Sequence, residues 1–371
     1  MIPLELTNEQ RKYLGLIPVD DSWELVYFAG KYYYYDGDII RKEITVEEDG
    51  SYSEAELCEH TEQNRTILLP KTKRGKPKKM NYTATLSFKP FGICFKFSAD
   101  SVSITNYTTQ TTYYKEYKSE NLSLSQWLDK WMEETTDKDL VEIDRYQQAR
   151  RQHVKYREGD FFAFKIGRRK WGFGRIVLNI VERRKSADFK ARKNYGLAHL
   201  MGTPLYIMVY RKIADAPYAD INELMRCKTL PVQAILDNIF YYGECKIIGN
   251  KSVMPEEWEP LISYGKSINA KDPNTVYLQY GLIFKETTVD KFNKYLYDGS
   301  QINPFRKEDI GFGIEDYPII EDLINGIQVK HGSGLNAPGN IDIKREIFSF
   351  FGLDADKSYA ENLKLEEMAN V

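Results

Sequence analysis

Only four cysteines occur in this sequence of 371 residues, Cys58, Cys94, Cys227 and Cys245, and no two stand in a CxxC spacing. That excludes a knuckle built on paired cysteines and a dithiol redox motif. Histidine is equally scarce. His60, His153, His199 and His331 are scattered along the whole chain, with no HxH, HExxH or HxxxH spacing. The pattern that marks a helix-borne hydrolytic metal site is therefore missing, and no metal or other cofactor is expected. GxxxxGK[ST], GxGxxG and GxSxG are also missing, so neither a phosphate loop, a dinucleotide fingerprint nor a hydrolase nucleophile elbow is supported. No stretch approaches the roughly 18 uninterrupted apolar residues of a membrane span. The opening "MIPLELTNEQRKYLGL" has no basic segment followed by an apolar one, so no signal peptide is expected. Neither charge sign dominates. The net charge is -2 and the pI about 6.2, unlike a dedicated nucleic-acid binder. The expectation is a cytoplasmic protein with free thiols.

Aromatic residues are abundant: 27 Tyr, 18 Phe and 5 Trp. They favour the pleated, half-buried surface of a sheet, which predicts a strand-rich protein. Tyrosine also suits recognition surfaces, where it offers contact area and a hydroxyl at low entropic cost.

The order of patterns predicts an α+β fold, strand-dominated, with antiparallel sheets and peripheral helices in two domains. A first domain, 1–152, is β-rich and ends in a helical segment. It opens with a short helix in Leu6–Leu16, capped by Thr7 and stopped by Gly15. "WELVYFAGKYYYYDGDIIRKEITV" (Trp23–Val46) reads as three strands, broken at Ala29-Gly30 and Asp36-Gly37. "FGICFKF" and "SVSITNYTTQTTYYKEY" continue the strand pattern. Leu124, Trp127, Leu128, Trp131 and Met132 then recur at helical spacing, and a second, charged helix is expected from about Leu140 to Gln152. In 153–371, strands are expected at Pro204–Ile213 and as a single strand in Asn274–Thr288, and Leu230–Asn250 reads as a strand or short helix followed by a strand ending at Gly249-Asn250. Helices are expected in "VDKFNKYLYDG", "YPIIEDLINGI" and "IKREIFSFFGL".

Three basic stretches stand out. Lys71–Lys79 holds six Lys or Arg in nine residues. Arg168, Arg169 and Lys170 fill a turn. Arg183, Arg184, Lys185, Lys190, Arg192 and Lys193 follow soon after. Each reads as a solvated loop or as a docking surface for an acidic partner or a nucleic-acid backbone. The last two stretches are candidates for one positive face.

"YREGDFFAFKIGRRKWGFGRIV" (Tyr156–Val177) reads as a hairpin of two strands, FFAFKI and WGFGRIV, joined by Gly167–Lys170. It resembles the start of the immunity protein 26 family, Imm26, through Gly159, Asp160, Phe162, Ala163, Gly172, Gly174 and Arg175. A second segment, "CKIIGNKSVMPEEWEPLISYG", is similar to the same family at Ile247, Ile248, Gly249, Asn250, Val253 and Pro255. Lys251-Ser252 departs from it where the family often has a proline, and the hairpin turn is more basic than usual. The resemblance covers roughly 155–285 and makes 153–371 an Imm26-like α+β domain with a C-terminal helical extension. It implies an immunity protein of a bacterial polymorphic-toxin system, which binds its cognate protein toxin and performs no catalysis. The partner-binding candidates are Arg168, Arg169, Lys170, Trp171, Arg183 and Arg184. Phe173 is either a further anchor or a half-buried strand residue. A metal-dependent phosphoester hydrolase and a nucleic-acid-binding protein are the alternatives.

Overall fold

The computed structural model describes residues 5–61, 74, 88–118, 122–191, 196, 204–230, 232–260, 262–266, 272, 274–296, 305 and 334–369. Of the expected features, His199, His331, Arg192, Lys193, the run 71–79 apart from Arg74, and the helix expected in "YPIIEDLINGI" lie outside the described residues. The fold is α+β, with antiparallel sheets and peripheral helices. The chain divides into two compact units, 1–153 with 242–244, and 154–241 with 245–371. Among the described residues no helix is long and apolar enough to cross a membrane.

The first unit is a seven-stranded meander in which each strand pairs with the next: β1 (Glu24–Phe28), β2 (Lys31–Asp36), β3 (Ile39–Val46), β4 (Tyr52–His60), β5 (Phe91–Phe97), β6 (Ser101–Asn106) and β7 (Thr111–Tyr117). Helix α1 (Asn8–Leu14) begins in a reciprocal box between Thr7 and Gln10. It stops at Gly15, whose φ of 74° suits the left-handed cap position. Helix α2 (Leu124–Glu134) is capped the same way by Ser123 and Gln126, and buries Leu124, Trp127, Leu128 and Trp131. Helix α3 (Asp137–Gln147) starts earlier than the charge pattern suggests and ends sooner. Thr136 and Asp139 form its reciprocal cap, which sets the start three residues before Leu140.

Glu54 is fully buried in this sheet. It accepts from Arg11 Nε at 3.0 Å, Lys42 Nζ at 2.8 Å and the Tyr52 hydroxyl at 2.7 Å. Arg11 comes from α1, so the ionic cluster ties that helix to the strands. Burial alone would raise the Glu54 carboxyl, but Lys42 and Arg11 outweigh it and hold its pKa below the ordinary value.

The second unit is built on a five-stranded antiparallel sheet of order β11-β10-β9-β8-β12. Its strands are β8 (Asp160–Ile166), β9 (Lys170–Asn179), β10 (Pro204–Ala214), β11 (Gln233–Leu236) and β12 (Cys245–Asn250). Both faces are buried, which is why β8 reads as an almost unbroken apolar run. One face sends Phe161, Ala163, Phe173 and Met208 into a core shared with Tyr264, Leu278 and Phe348. The other packs Phe162, Phe164, Ile176 and Ile207 against Ile239 and Phe240. Between the strands lie the short helices α4 (Ile180–Arg183), α5 (Ala187–Ala191), α6 (Ile221–Leu224) and α7 (Asn238–Tyr241).

A three-stranded sheet follows, β13 (Ile262–Lys266), β14 (Thr275–Tyr280) and β15 (Ile283–Thr288), then helices α8 (Ile341–Phe350) and α9 (Tyr359–Ala369). Asn274–Thr288 is thus two strands rather than the single one expected. Gly281, at φ +61°, turns the chain so that Tyr280 pairs with Ile283. The helix expected from Val289 is not formed in 289–296, which runs as turns. Tyr295 has a φ of 60°, which no right-handed helix accommodates. The helix expected in "IKREIFSFFGL" is α8.

Candidate functional site

The hairpin β8–β9 lies at the centre of its sheet, flanked by β12 and β10. Its register sets Phe162 opposite Gly174 and Phe164 opposite Gly172. The glycines are required by the phenylalanine rings. A Cβ on Gly174 would lie 2.4 Å from Phe162 Cζ, and one on Gly172 would lie 2.4 Å from Phe164 Cζ. Each ring covers the bare backbone of the partner strand, and Phe162 then meets Phe240 edge-on at 5.1 Å.

The remaining hydrogen-bonding groups at the start of the hairpin converge on one loop. Gly159 turns with a φ of +89°, donates to Ile176 O at 2.8 Å and accepts from Lys251 N at 3.1 Å. Asp160 is buried. Its Oδ2 accepts from Arg157 N at 2.8 Å and its Oδ1 from Asn250 Nδ2 at 2.7 Å. Arg175, 1% exposed, donates through Nη2 to Lys251 O and Ser252 O, both at 2.9 Å. Its Nη1 pairs with Glu257 at 3.1 Å, and the guanidinium sits 4.8 Å from the centre of the Phe161 ring. These contacts clasp the start of the hairpin, its second strand and the segment after β12 into one body. Every charged group of the clasp is committed to backbone carbonyls, amides or an opposite charge. Burial pushes the nearby Tyr210 phenol up to about 12, against the opposing pull of Arg175, so it is a neutral hydroxyl at physiological pH.

The opposite end of the hairpin is what the clasp leaves to solvent. Gly167, at φ +55°, opens a tight turn. Arg169 and Lys170 are exposed, while Arg168 and Trp171 are half-buried. Lys170 pairs with Asp215 at 2.6 Å, and Lys246 Nζ lies 4.8 Å from the centre of the Trp171 ring. Lys165 pairs in register with Trp171. The tip therefore gathers Lys165, Arg168, Arg169, Lys170 and Lys246 around one half-buried indole. Lys165 and Lys246 escape a reading by sequence runs, because each stands alone in an apolar strand. The register of β8, β9 and β12 delivers them. Phe173 is not part of this surface; it is fully buried.

Arg183 and Arg184 do not join the tip. They follow β9 at its far end, and Trp171 and Asn179 alone are about 26 Å apart at roughly 3.3 Å per residue. Arg183 folds back on the base of the hairpin, where its Nη2 meets Glu158 Oε1 at 2.6 Å. Arg184 is half-buried. The six candidates thus form a tip group of four and a basal group of two, separated by the length of the strand. His60 and His153 are exposed. Among the described residues no three His, Cys, Asp or Glu side chains gather as a metal-binding group.

Residues 157–274 match the family model of immunity protein 26, Imm26. The match runs from the start of the hairpin to the residue before β14 and contains the whole clasp. It bears out the resemblance read from the GD, GxGR and IIGN segments. No curated protein and no solved structure matches the chain.

Proposed function

We propose that this protein is an immunity protein of a bacterial polymorphic-toxin system. It binds and neutralises a cognate toxin by protein–protein contact in the cytoplasm of the producing cell, without covalent chemistry. The observation that carries this reading is the match of residues 157–274 to the immunity protein 26 family. The clasp is consistent with it. The signature residues Gly159, Asp160, Gly172, Gly174, Arg175 and Asn250 are all used to hold strands and a loop together, so the family pattern marks a scaffold. What the scaffold holds out is the hairpin tip.

At the tip, Arg168, Arg169, Lys170 and Trp171 are the contact residues of this proposal. Arginine and tryptophan are the residue types that most often anchor interfaces. A cluster of cations around an indole favours an acidic region of the toxin and speeds encounter with it. Arg183 and Arg184 support the base of the hairpin in this reading rather than meeting the toxin.

The test is co-expression with the toxin domain encoded by the adjacent reading frame, scored by survival, together with titration calorimetry of the purified pair. Protection and a 1:1 complex are expected. Arg169→Glu with Lys170→Glu is expected to weaken binding at least tenfold and to reduce its salt dependence, with the fold unchanged. A purified chain that neither binds that toxin domain nor rescues growth would end the proposal.

A further inference from the structure

A second recognition site lies in the first unit, outside the segment that the family model matches, and it does not rest on the toxin-binding reading. Among the described residues strand β7 is the last of its sheet, and helix α2 packs beside it. Between the two is a notch of about 200 Å³ lined by Tyr114, Glu116, Lys118, Leu122, Trp127, Lys130, Trp131 and Glu134. Trp127 and Trp131 are one helical turn apart and stack with ring centres 5.1 Å apart. Tyr114 leans on Trp131 at 4.8 Å. Trp131 is fixed from behind, donating its indole N–H to Tyr13 O at 2.9 Å.

Glu116 is the unusual member. It pairs in register with Val102, which is fully buried, so it occupies a core-facing position of the strand. The residue is half-buried, and the protein supplies donors to one oxygen only, leaving the other open to solvent. Oε2 accepts from the Tyr114 hydroxyl at 2.8 Å and from Trp127 Nε1 at 3.2 Å. Both donors are neutral. Among the described residues, Oε1 accepts no hydrogen bond and no cation pairs with the carboxylate. Lys118 and Lys130 both line the notch, and Lys118 is engaged elsewhere: its Nζ sits 3.8 Å from the centre of the Phe97 ring and 3.5 Å from Leu122 O.

We infer that this notch receives an arginine side chain presented by another protein. Its volume is below the roughly 300–1,000 Å³ of sites for whole small ligands, and suits one side chain. A carboxylate held rigidly by two donors, beside indole and phenol rings, complements a guanidinium in charge and in planarity. A lysine ammonium offers no plane to stack and keeps its water more tightly. An acidic side chain would meet Glu116 and Glu134.

The probe is N-acetyl-arginine amide, titrated into the intact protein while the indole N–H signals are followed by two-dimensional NMR. Trp127 is the reporter, because its N–H is bonded to Glu116. Saturable movement of that signal at roughly millimolar concentrations is expected, with several-fold weaker binding of the lysine analogue. The neutral isostere, N-acetyl-citrulline amide, is expected to leave the signal in place. Glu116→Gln keeps an acceptor for Tyr114 and Trp127 but removes the charge, and is expected to lower the affinity for the arginine probe at least tenfold. Equal response to arginine and citrulline, no response to arginine, or undiminished binding by a folded Glu116→Gln protein would each overturn the inference. If that variant does not fold, the arginine–citrulline comparison on the unsubstituted protein decides it.

Discussion

Replacing Arg175 by methionine separates a scaffold from a contact surface. The substitution keeps an unbranched apolar stem against Phe161 and deletes the guanidinium. Three charge-assisted bonds are lost, to Lys251 O, Ser252 O and Glu257. Breaking one side of a buried charged cluster costs about 3–5 kcal/mol. Lys251 and Ser252 are themselves exposed, so their freed carbonyls regain water, and the Glu257 side chain is 24% exposed, so its carboxylate keeps part of its hydration. That places the expected cost near the lower bound, about 3 kcal/mol, or roughly a hundredfold in the opening equilibrium. Hydrogen exchange measured by mass spectrometry is the suitable assay, because the two units need not unfold together. Peptides covering β8, β9 and β12 are expected to lose protection by that factor, while β1–β7 keep theirs. Toxin neutralisation is expected to fall only as far as the folded population falls. A variant with unchanged protection in these strands and no neutralising activity would refute the reasoning, since Arg175 would then act on the partner and not on the scaffold.

Other substitutions test the remaining parts. Gly174→Ala drives a methyl into the Phe162 ring and is expected to cost about 1–3 kcal/mol, read as a lowered thermal midpoint. Gly159→Ala is expected to cost more than Gly174→Ala, because its Cβ would lie 2.3 Å from Lys251 O and its φ is +89°. Lys170→Ala removes an exposed pair with Asp215 and is expected to change stability by less than about 1 kcal/mol in urea unfolding, leaving any effect on binding attributable to the tip itself. The first unit has a pH signature. Glu54 has a depressed pKa when folded, so the stability it contributes is present above its unfolded pKa and is lost as pH falls through the folded one. Acid unfolding of β1–β7, followed by hydrogen exchange, is therefore expected to steepen below the ordinary glutamate pKa, and Glu54→Gln is expected to flatten that limb.

Much of the local structure was legible from residue type and spacing. Thr7 and Gly15 mark helix ends because capping is settled within one turn of chain. The hairpin at Tyr156–Val177 is legible because its two apolar runs flank a glycine-led polar turn. Where the reading failed, a longer-range effect intervened. Asn274–Thr288 looks like one strand because Gly281 is a single break inside an apolar run. It becomes a turn when β15 folds back on β14 and Tyr359 closes over it, donating no Cβ space. Helix α3 is the exception: it starts at Asp137 because of a local reciprocal cap between Thr136 and Asp139, which the charge pattern pointing to Leu140 did not reveal.

The candidate surfaces divide in the same way. Composition, motif spacing and the GD, GxGR and IIGN segments were enough to identify the family resemblance and to select Arg168, Arg169, Lys170 and Trp171, since a hairpin turn puts neighbours in sequence side by side. Only the tertiary structure added Lys165 and Lys246 to that tip, separated Arg183 and Arg184 from it, and showed the signature residues to be a clasp. It alone joined Glu116 of β7 to Trp127 of α2. Chain-local spacing encodes turns, caps and periodicity, whereas strand register and the packing of a helix against a sheet edge bring together groups that sequence keeps apart.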